Sequence, residues 1–319
     1  VILLPKQTPK QIQKAVGMPQ NQNNNSYEQH VPVLLDEVLD ALQPATGESY
    51  LDLTAGYGGH AEAVMNRTQA TEQSVLVDRD SNAVAVLQQK FGDRPEILQT
   101  DFLTASRELL ARSKGFDLIL ADLGLSSPHL NEATRGFAIQ QEGPLDMRMD
   151  QTQELTAATI VNTYSEDELA DLLKRYGEEP KARAIARRIV AHRPYRTTTE
   201  LAAVVAGAWP GRSRVHPATR TFQAIRIAVN DELGLLEHSL PMWLDLLNPG
   251  GRIAIITFHS LEDRIVKQFF KEQGGGGYDA TITERTRRPV TASPQELVFN
   301  PRARSAKLRA AVKIKKKGK

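Results

Sequence analysis

Cysteine is absent from this 319-residue sequence. Disulfides, thiolate zinc sites and cysteine nucleophiles are therefore excluded, and any chemistry rests on oxygen and nitrogen groups or on a cofactor. Long apolar runs are absent too: nothing approaches the roughly 18 residues of a membrane span. The opening Val1-Ile2-Leu3-Leu4 is cut off by Pro5 and Lys6, too early for the apolar core of a signal peptide. A cytoplasmic protein without a membrane partner is the default expectation. Net charge is small, formally +2, so a nucleic-acid surface has to come from local clustering. What is present is ordinary for a folded protein, 40% hydrophobic and 24% charged residues, which rules out wholesale disorder and leaves material for a sizeable core.

Residues 1–29 read as a tail, rich in Gln and Asn with Asn21, Asn23, Asn24 and Asn25 clustered and no sustained periodicity. From Tyr50 short apolar runs alternate with helical stretches. Tyr50–Leu53, Ser74–Asp78, Glu96–Gln99 and Phe116–Asp122 read as buried strands, with helices over Ala61–Met65 and Asn82–Lys90 between them. This rhythm predicts a parallel sheet covered on both faces. It stops for about a hundred residues, where Glu154–Thr163, Glu166–Tyr176, Lys181–His192, Glu200–Ala208 and Pro217–Val229 all read as helix. Capping boxes are expected at Ser165 with Glu168 and at Thr197 with Glu200. Strand character returns at Gly251–Phe258, after the turn Asn248-Pro249-Gly250, and again near Glu296–Phe299 and Lys307–Ile314. The simplest account is an α/β domain in two parts, 30–130 and 236–312, interrupted by an all-helical domain over 131–235 and followed by a basic tail at 313–319.

Four consecutive strands deliver small or acidic residues to what becomes one sheet edge. Leu51-Asp52-Leu53-Thr54-Ala55-Gly56-Tyr57-Gly58-Gly59-His60 runs from a strand into a helix, where small residues let the backbone approach a ligand. It lacks the third glycine of the dinucleotide fingerprint, because Val64 follows where that glycine would help. The second strand ends in Asp78, placed to bind both hydroxyls of a ribose; the third ends in Asp101-Phe102 and the fourth in Asp122-Leu123-Gly124-Leu125-Ser126-Ser127-Pro128. Ligands of open α/β sheets sit outside the carboxyl ends of the strands, so a nucleoside-containing cofactor is the leading reading.

These residues resemble the class I, Rossmann-like, S-adenosylmethionine-dependent methyltransferase pattern. The strings GGH, DLGLSSP, RGF, GPLDMRMD, HPATRTFQAIRIAVN, FHSLEDRIVK and NPRARSAKLR are similar to those of the RsmH (MraW) family, from about His30 to Arg309. That family comprises bacterial methyltransferases acting on N4 of cytidine 1402 in 16S ribosomal RNA. The resemblance implies S-adenosylmethionine as cofactor, the small ribosomal subunit as partner, and cofactor contacts at Gly58, Gly59, His60, Asp78, Phe102 and Asp122. It implies one at His129 too, where the family usually has glutamine; imidazole donates a hydrogen bond there without the amide's fixed donor–acceptor pair. Whether the protein is a monomer or a homodimer stays open.

The cofactor brings its own electrophile. Methylation at C5 of cytosine needs an attacking thiolate, which this chain cannot supply, whereas an exocyclic amine needs only positioning and a proton acceptor. The loop after the fourth strand is expected to hold that amine, with Asp122, Ser126 and Ser127 as the candidate catalytic groups. His259 with Glu262 and Asp263 is read as ordering a loop or helix cap, and no metal site is assigned. For RNA phosphates the candidates are Lys181, Arg183, Arg187, Arg188, Arg193 and Arg196, then Arg212, Arg214, Arg220 and Arg226, and the stretch Arg302–Lys319 with nine Lys/Arg and no acid. A nicotinamide-dependent dehydrogenase is disfavoured by the missing glycine and the absence of a catalytic dyad. A non-enzymatic assembly factor with a degenerate site is disfavoured by the competence of every cofactor-edge residue.

Overall fold

The computed structural model describes residues 32–125, 132–209, 211, 215–275 and 279–314. Seven strands, β1 (Tyr50–Asp52), β2 (Ser74–Asp78), β3 (Glu96–Gln99), β4 (Phe116–Asp122), β5 (Leu247–Thr257), β6 (Ile282–Glu284) and β7 (Lys307–Lys313), form one sheet in the order β3-β2-β1-β4-β5-β7-β6. β1 to β5 are mutually parallel, and β7 runs antiparallel to both β5 and β6. Burial on both faces explains why β4 reads Phe-Asp-Leu-Ile-Leu-Ala-Asp rather than alternating. Tyr50, Leu76, Leu118 and Leu120 point to one core together with α1 (Leu35–Leu42), α2 (Gly59–Thr68) and α3 (Ser81–Phe91). Leu51, Val75, Val77 and Ile119 point to the other, with α4 (Phe102–Ala111), α10 (Glu232–Leu246) and α11 (Ser260–Gln273).

Between β4 and β5 the chain builds a separate helical core from α5 (Ala157–Thr163), α6 (Glu166–Gly177), α7 (Ala182–Ala191), α8 (Thr198–Ala206) and α9 (Thr219–Asn230), with Ile160, Leu173, Ile185, Leu201 and Ile225 fully buried in it. Both expected capping boxes form, at Ser165 with Glu168 and at Thr197 with Glu200. A buried ion pair ties this region to the sheet. Arg135 reaches Asp80, the N-cap of α3, at 3.4 Å and donates to the carbonyls of Arg148 and Met149.

Three expectations change. Glu296–Phe299 is not a strand but the end of α12 (Pro294–Phe299), because Ser293 caps the helix by accepting from the Glu296 N–H and Pro294 sits in its first turn. Part of the basic stretch from Arg302 belongs to the sheet, while Arg302 and Arg304 are exposed and residues 315–319 lie outside the described residues. Lys307 to Lys313 form β7, between β5 and β6, so that Lys313, grouped in sequence with the tail, ends that strand and donates to the Leu244 and Leu247 carbonyls. Arg309 is buried against Asp263 at 2.7 Å. Thirdly, Asn248-Pro249-Gly250 lies within β5 rather than before it: β4 pairs Phe116 with Leu247 and then Leu118 with Arg252, so the irregularity absorbs the proline and the positive φ of Gly250.

Candidate active site

The chain order reverses between β1 and β4, which opens a crevice beyond their carboxyl ends. Thr54 closes its floor: the Thr54 hydroxyl accepts from the Asp122 N–H at 2.6 Å, locking the two strand ends together. Gly58, the residue before α2, has φ 76°, and a Cβ there would meet Phe91 Cε2 at 2.7 Å. A Cβ on Gly59 would meet Pro32 at 2.5 Å. These two glycines are thus required by the turn and its packing, independently of any ligand.

Asp78 ends β2 and accepts from the Gly56 N–H at 2.8 Å and the Asp80 N–H at 2.8 Å. An ionised carboxylate offers about four acceptor positions; these two bonds use two of them and fix the group at the rim. Asp101 caps α4, accepting from the Leu103 and Thr104 N–H groups, which starts the helix with Phe102 at its first position. Phe102 is half-buried and packs edge-on to Trp243, with ring centroids 5.5 Å apart. The Trp243 indole donates to Ser106, so the aromatic support of Phe102 is itself held in place.

Asp122 ends β4. Its Oδ1 is buried without a hydrogen-bond partner among the described residues, and its Oδ2 lies 3.7 Å from His60 Nδ1. Burial, followed by the negative charges of Asp52 and Glu262, pushes the Asp122 carboxyl well above the usual range. Asp52, on the adjacent strand and 1% exposed, accepts from the Tyr50 hydroxyl at 2.8 Å and the Thr54 N–H at 3.2 Å. Its burial outweighs those bonds and raises it to about 7. In sequence Asp52 shows only as a strand end; the signal that could have marked it is Tyr50-Leu51-Asp52, which puts a phenol and a carboxyl on one strand face.

His259 accepts the Glu262 N–H through Nδ1 at 3.3 Å, and Glu262 returns the bond to the His259 backbone, a capping box at the start of α11. The expected cap role is therefore what this cluster performs. Glu232, His259 and Glu262 also bring ligand-type atoms within 4.8 Å of one another. An Nδ1 that accepts is unprotonated, so in the neutral ring Nε2 carries the proton and has no lone pair to offer a metal. Glu232 is in addition held bidentately by Arg226, both contacts at 2.8 Å. The residues fit a polar support beneath the crevice, with Glu262 the second negative charge near Asp122.

Ser126, Ser127 and His129 lie outside the described residues. The structure brings His60 and Asp122 together, with Asp78 and Phe102 farther along the same rim. A polar cleft of about 430 Å³ adjoins it, lined by Arg79, Thr100, Asp101, Asp150, Asn230 and Asp231 among others, and so by both the sheet rim and the helical region. In sequence Arg79 shows only as the turn residue after Asp78; burial lowers its pKa, while the carboxylates of Glu232, Asp78, Asp101 and Asp150 act the other way.

Much of the expected cationic surface has other work. Lys181 donates to the Ala208 carbonyl and stacks on Trp209, Arg188 donates to Val204, and Arg193 to Val161 and Tyr164. Arg220 donates to the Glu178 carbonyl, half-buried Arg226 is paired with Glu232, and Arg212 and Arg214 lie outside the described residues. Arg183, Arg187 and Arg196 remain exposed on the helical region. Among the described residues no helix is long and apolar enough to cross a membrane.

An open sheet with one reversed strand, β7, set between β5 and β6, acid-tipped parallel strands and a glycine turn at the switch point defines a class I methyltransferase with a helical region between its fourth and fifth strands. More particularly, the chain belongs to the MraW methylase family, whose model matches residues 27–314. A ribosomal RNA small subunit methyltransferase H of Heliobacterium mobile is 46% identical over 308 residues, covering 89% of this chain and 99% of that relative. A protein of the same name from Gloeobacter violaceus is 47% identical over 311 residues, covering 96% of this chain and 95% of its own. Among solved structures, an rRNA methylase from Streptococcus thermophilus superposes with a TM-score of 0.38 at 12% identity, over 88% of this chain and 94% of its own.

Proposed function

We propose that this protein transfers a methyl group from S-adenosylmethionine to the N4 amine of a cytidine in 16S ribosomal RNA of the small subunit, in the cytoplasm. The observation that carries the reaction type is Asp122: a carboxylate at the β4 end whose buried Oδ1 has no hydrogen-bond partner among the described residues, in a chain without a thiol. The substrate follows from the family and from relatives named for small-subunit ribosomal RNA.

The bound cofactor supplies an electrophilic methyl group on sulfonium sulfur. Asp78 would hold the ribose, the Gly58-Gly59-His60 turn and Phe102 would flank the nucleoside, and His129 would complete the cofactor site. Asp122 accepts a hydrogen bond from the target amine, orienting the nitrogen and raising its electron density, with Ser126 and Ser127 beside it. Holding the two reactants in line contributes most of the acceleration. Displacing the base from its stack costs a few kcal/mol, which phosphate contacts offset. Those contacts are assigned to Arg183, Arg187 and Arg196 of the helical region, taken as the substrate-recognition domain, and to a second set at the sheet rim. Because β7 is antiparallel, it begins where β5 ends, so Arg302 and Arg304 just before it share the rim with Arg287 and Arg288 after β6; all four are exposed.

The test is single-turnover transfer of labelled methyl to small subunits that lack the modification, followed by nucleoside analysis. N4-methylcytidine is expected from the wild type, and a loss of at least about a hundredfold in rate for Asp122→Asn with cofactor affinity within a few-fold. Label in any other nucleoside contradicts the assignment.

A further inference from the structure

We infer that His60 and Asp122 share one proton and act as a pair, His60 being the positioning residue that keeps Asp122 able to receive the proton shed by the methylated amine. The inference rests on the methyl-transfer reading above. His60 lies in the first turn of α2, and its Nε2 is 2.9 Å from the Val33 carbonyl oxygen. A carbonyl only accepts, so Nε2 carries a hydrogen, and in the neutral ring Nδ1 is the lone-pair nitrogen. That Nδ1 faces Asp122 Oδ2 at 3.7 Å, with the two side chains 8% and 23% exposed. Two lone-pair atoms held face to face in a buried site repel; a proton between them converts the contact to attraction.

The surroundings favour such a proton. Around Asp122 stand Asp52, hydrogen-bonded by Tyr50 on β1, and Glu262 on α11, itself flanked by His259 and by Arg226 from α9. On the helix that carries His60, Glu62 pairs with Lys90 at 2.7 Å. Among the described residues the cations named are thus matched to other carboxylates, and His60 is a titratable base within reach of Asp122.

The chemistry uses that base. The amine's lone pair forms the nitrogen–carbon bond, the carbon–sulfur bond breaks with its electron pair left on sulfur, and the cationic nitrogen must release one proton. A carboxylic acid at Asp122 could not take it. With the resident proton held on Nδ1, Asp122 is a carboxylate at the moment of transfer, and the released proton passes to the Asp122 carboxylate. The pair then titrates as one unit rather than as two residues.

Two measurements test this. His60→Gln keeps a donor for the Val33 carbonyl but loses Nδ1. Its single-turnover rate should fall about tenfold at neutral pH, and the acid limb of the pH–rate profile should move up by about one unit, since Asp122 then holds its proton longer. An unmoved acid limb overturns the inference. Independently of substrate and cofactor, ¹⁵N NMR of the histidine ring should show the His60 Nδ1 midpoint falling by about one unit in Asp122→Asn, where the anion is gone. An unmoved midpoint overturns it also. Failure of the wild type to methylate small subunits, with the coupled titration intact, refutes the methyl-transfer reading while the shared proton stands.

Discussion

Replacing Asp52 by Asn should make the protein more stable, and increasingly so as pH rises. Asp52 is buried and its pKa is raised from 3.8 to about 7. A raised folded-state value means that the folded protein holds the proton more tightly than the unfolded chain does. The stabilisation from neutral Asp52 is therefore fully present below about pH 4 and is lost as pH rises through about 7. At 1.36 kcal/mol per unit, the shift corresponds to on the order of 4 kcal/mol of ionisation cost carried by the wild type above neutrality. Asn cannot ionise, its carbonyl can accept the Thr54 N–H, and its amide can donate to a reoriented Tyr50 hydroxyl. Urea unfolding of both proteins at intervals from about pH 4 to about pH 8 should give a difference that is small at the acid end and grows by up to about 1.4 kcal/mol per pH unit. A difference constant across that range would refute the reasoning, since a packing change alone has no pH dependence.

Arg135→Met removes the guanidinium 3.4 Å from buried Asp80, and should cost about 3–5 kcal/mol in chemical denaturation; a loss under about 1 kcal/mol would show the pair to be replaceable. Gly58→Ala forces a Cβ against Phe91 at a left-handed φ and should cost about 1–3 kcal/mol together with a weaker cofactor affinity by calorimetry. Neutralising Arg287, Arg288, Arg302 and Arg304 should lower the slope of log affinity for RNA against log salt by roughly 0.7 for each phosphate charge no longer neutralised; an unchanged slope would remove the sheet rim from the RNA surface.

The centre of the sheet is legible in sequence because β1, β2 and β4 are buried on both faces and read as nearly unbroken apolar runs, whereas β3 at the edge is only partly buried. Phe116–Asp122 and Ser74–Asp78 coincide with β4 and β2 residue for residue. The helical region is legible from its caps. α10 is not, because Pro241 interrupts a pattern that is helical on both sides, and the helix tolerates it within 15 residues. β6 is three residues long and depends on β7, pairing Ile282 with Lys313, a connection that no local pattern encodes. At the site, Asp78, Phe102 and Asp122 stand out because strand ends are visible in sequence. The proximity of His60 to Asp122, and of Asp52 to Asp122, arises from register between strands far apart in the chain. Charge is the most misleading signal: Arg193, Arg309 and Lys313 look like phosphate ligands in sequence and spend their donors on carbonyls and carboxylates of the fold.

The most direct test of the methyl-transfer assignment is nucleoside mass spectrometry of 16S ribosomal RNA from cells lacking this protein, complemented with the wild type or with Asp122→Asn. N4-methylation of one cytidine should be absent from the deletion strain, return with the wild type and fail to return with the variant. Full methylation in the deletion strain, or full restoration by Asp122→Asn, would contradict it.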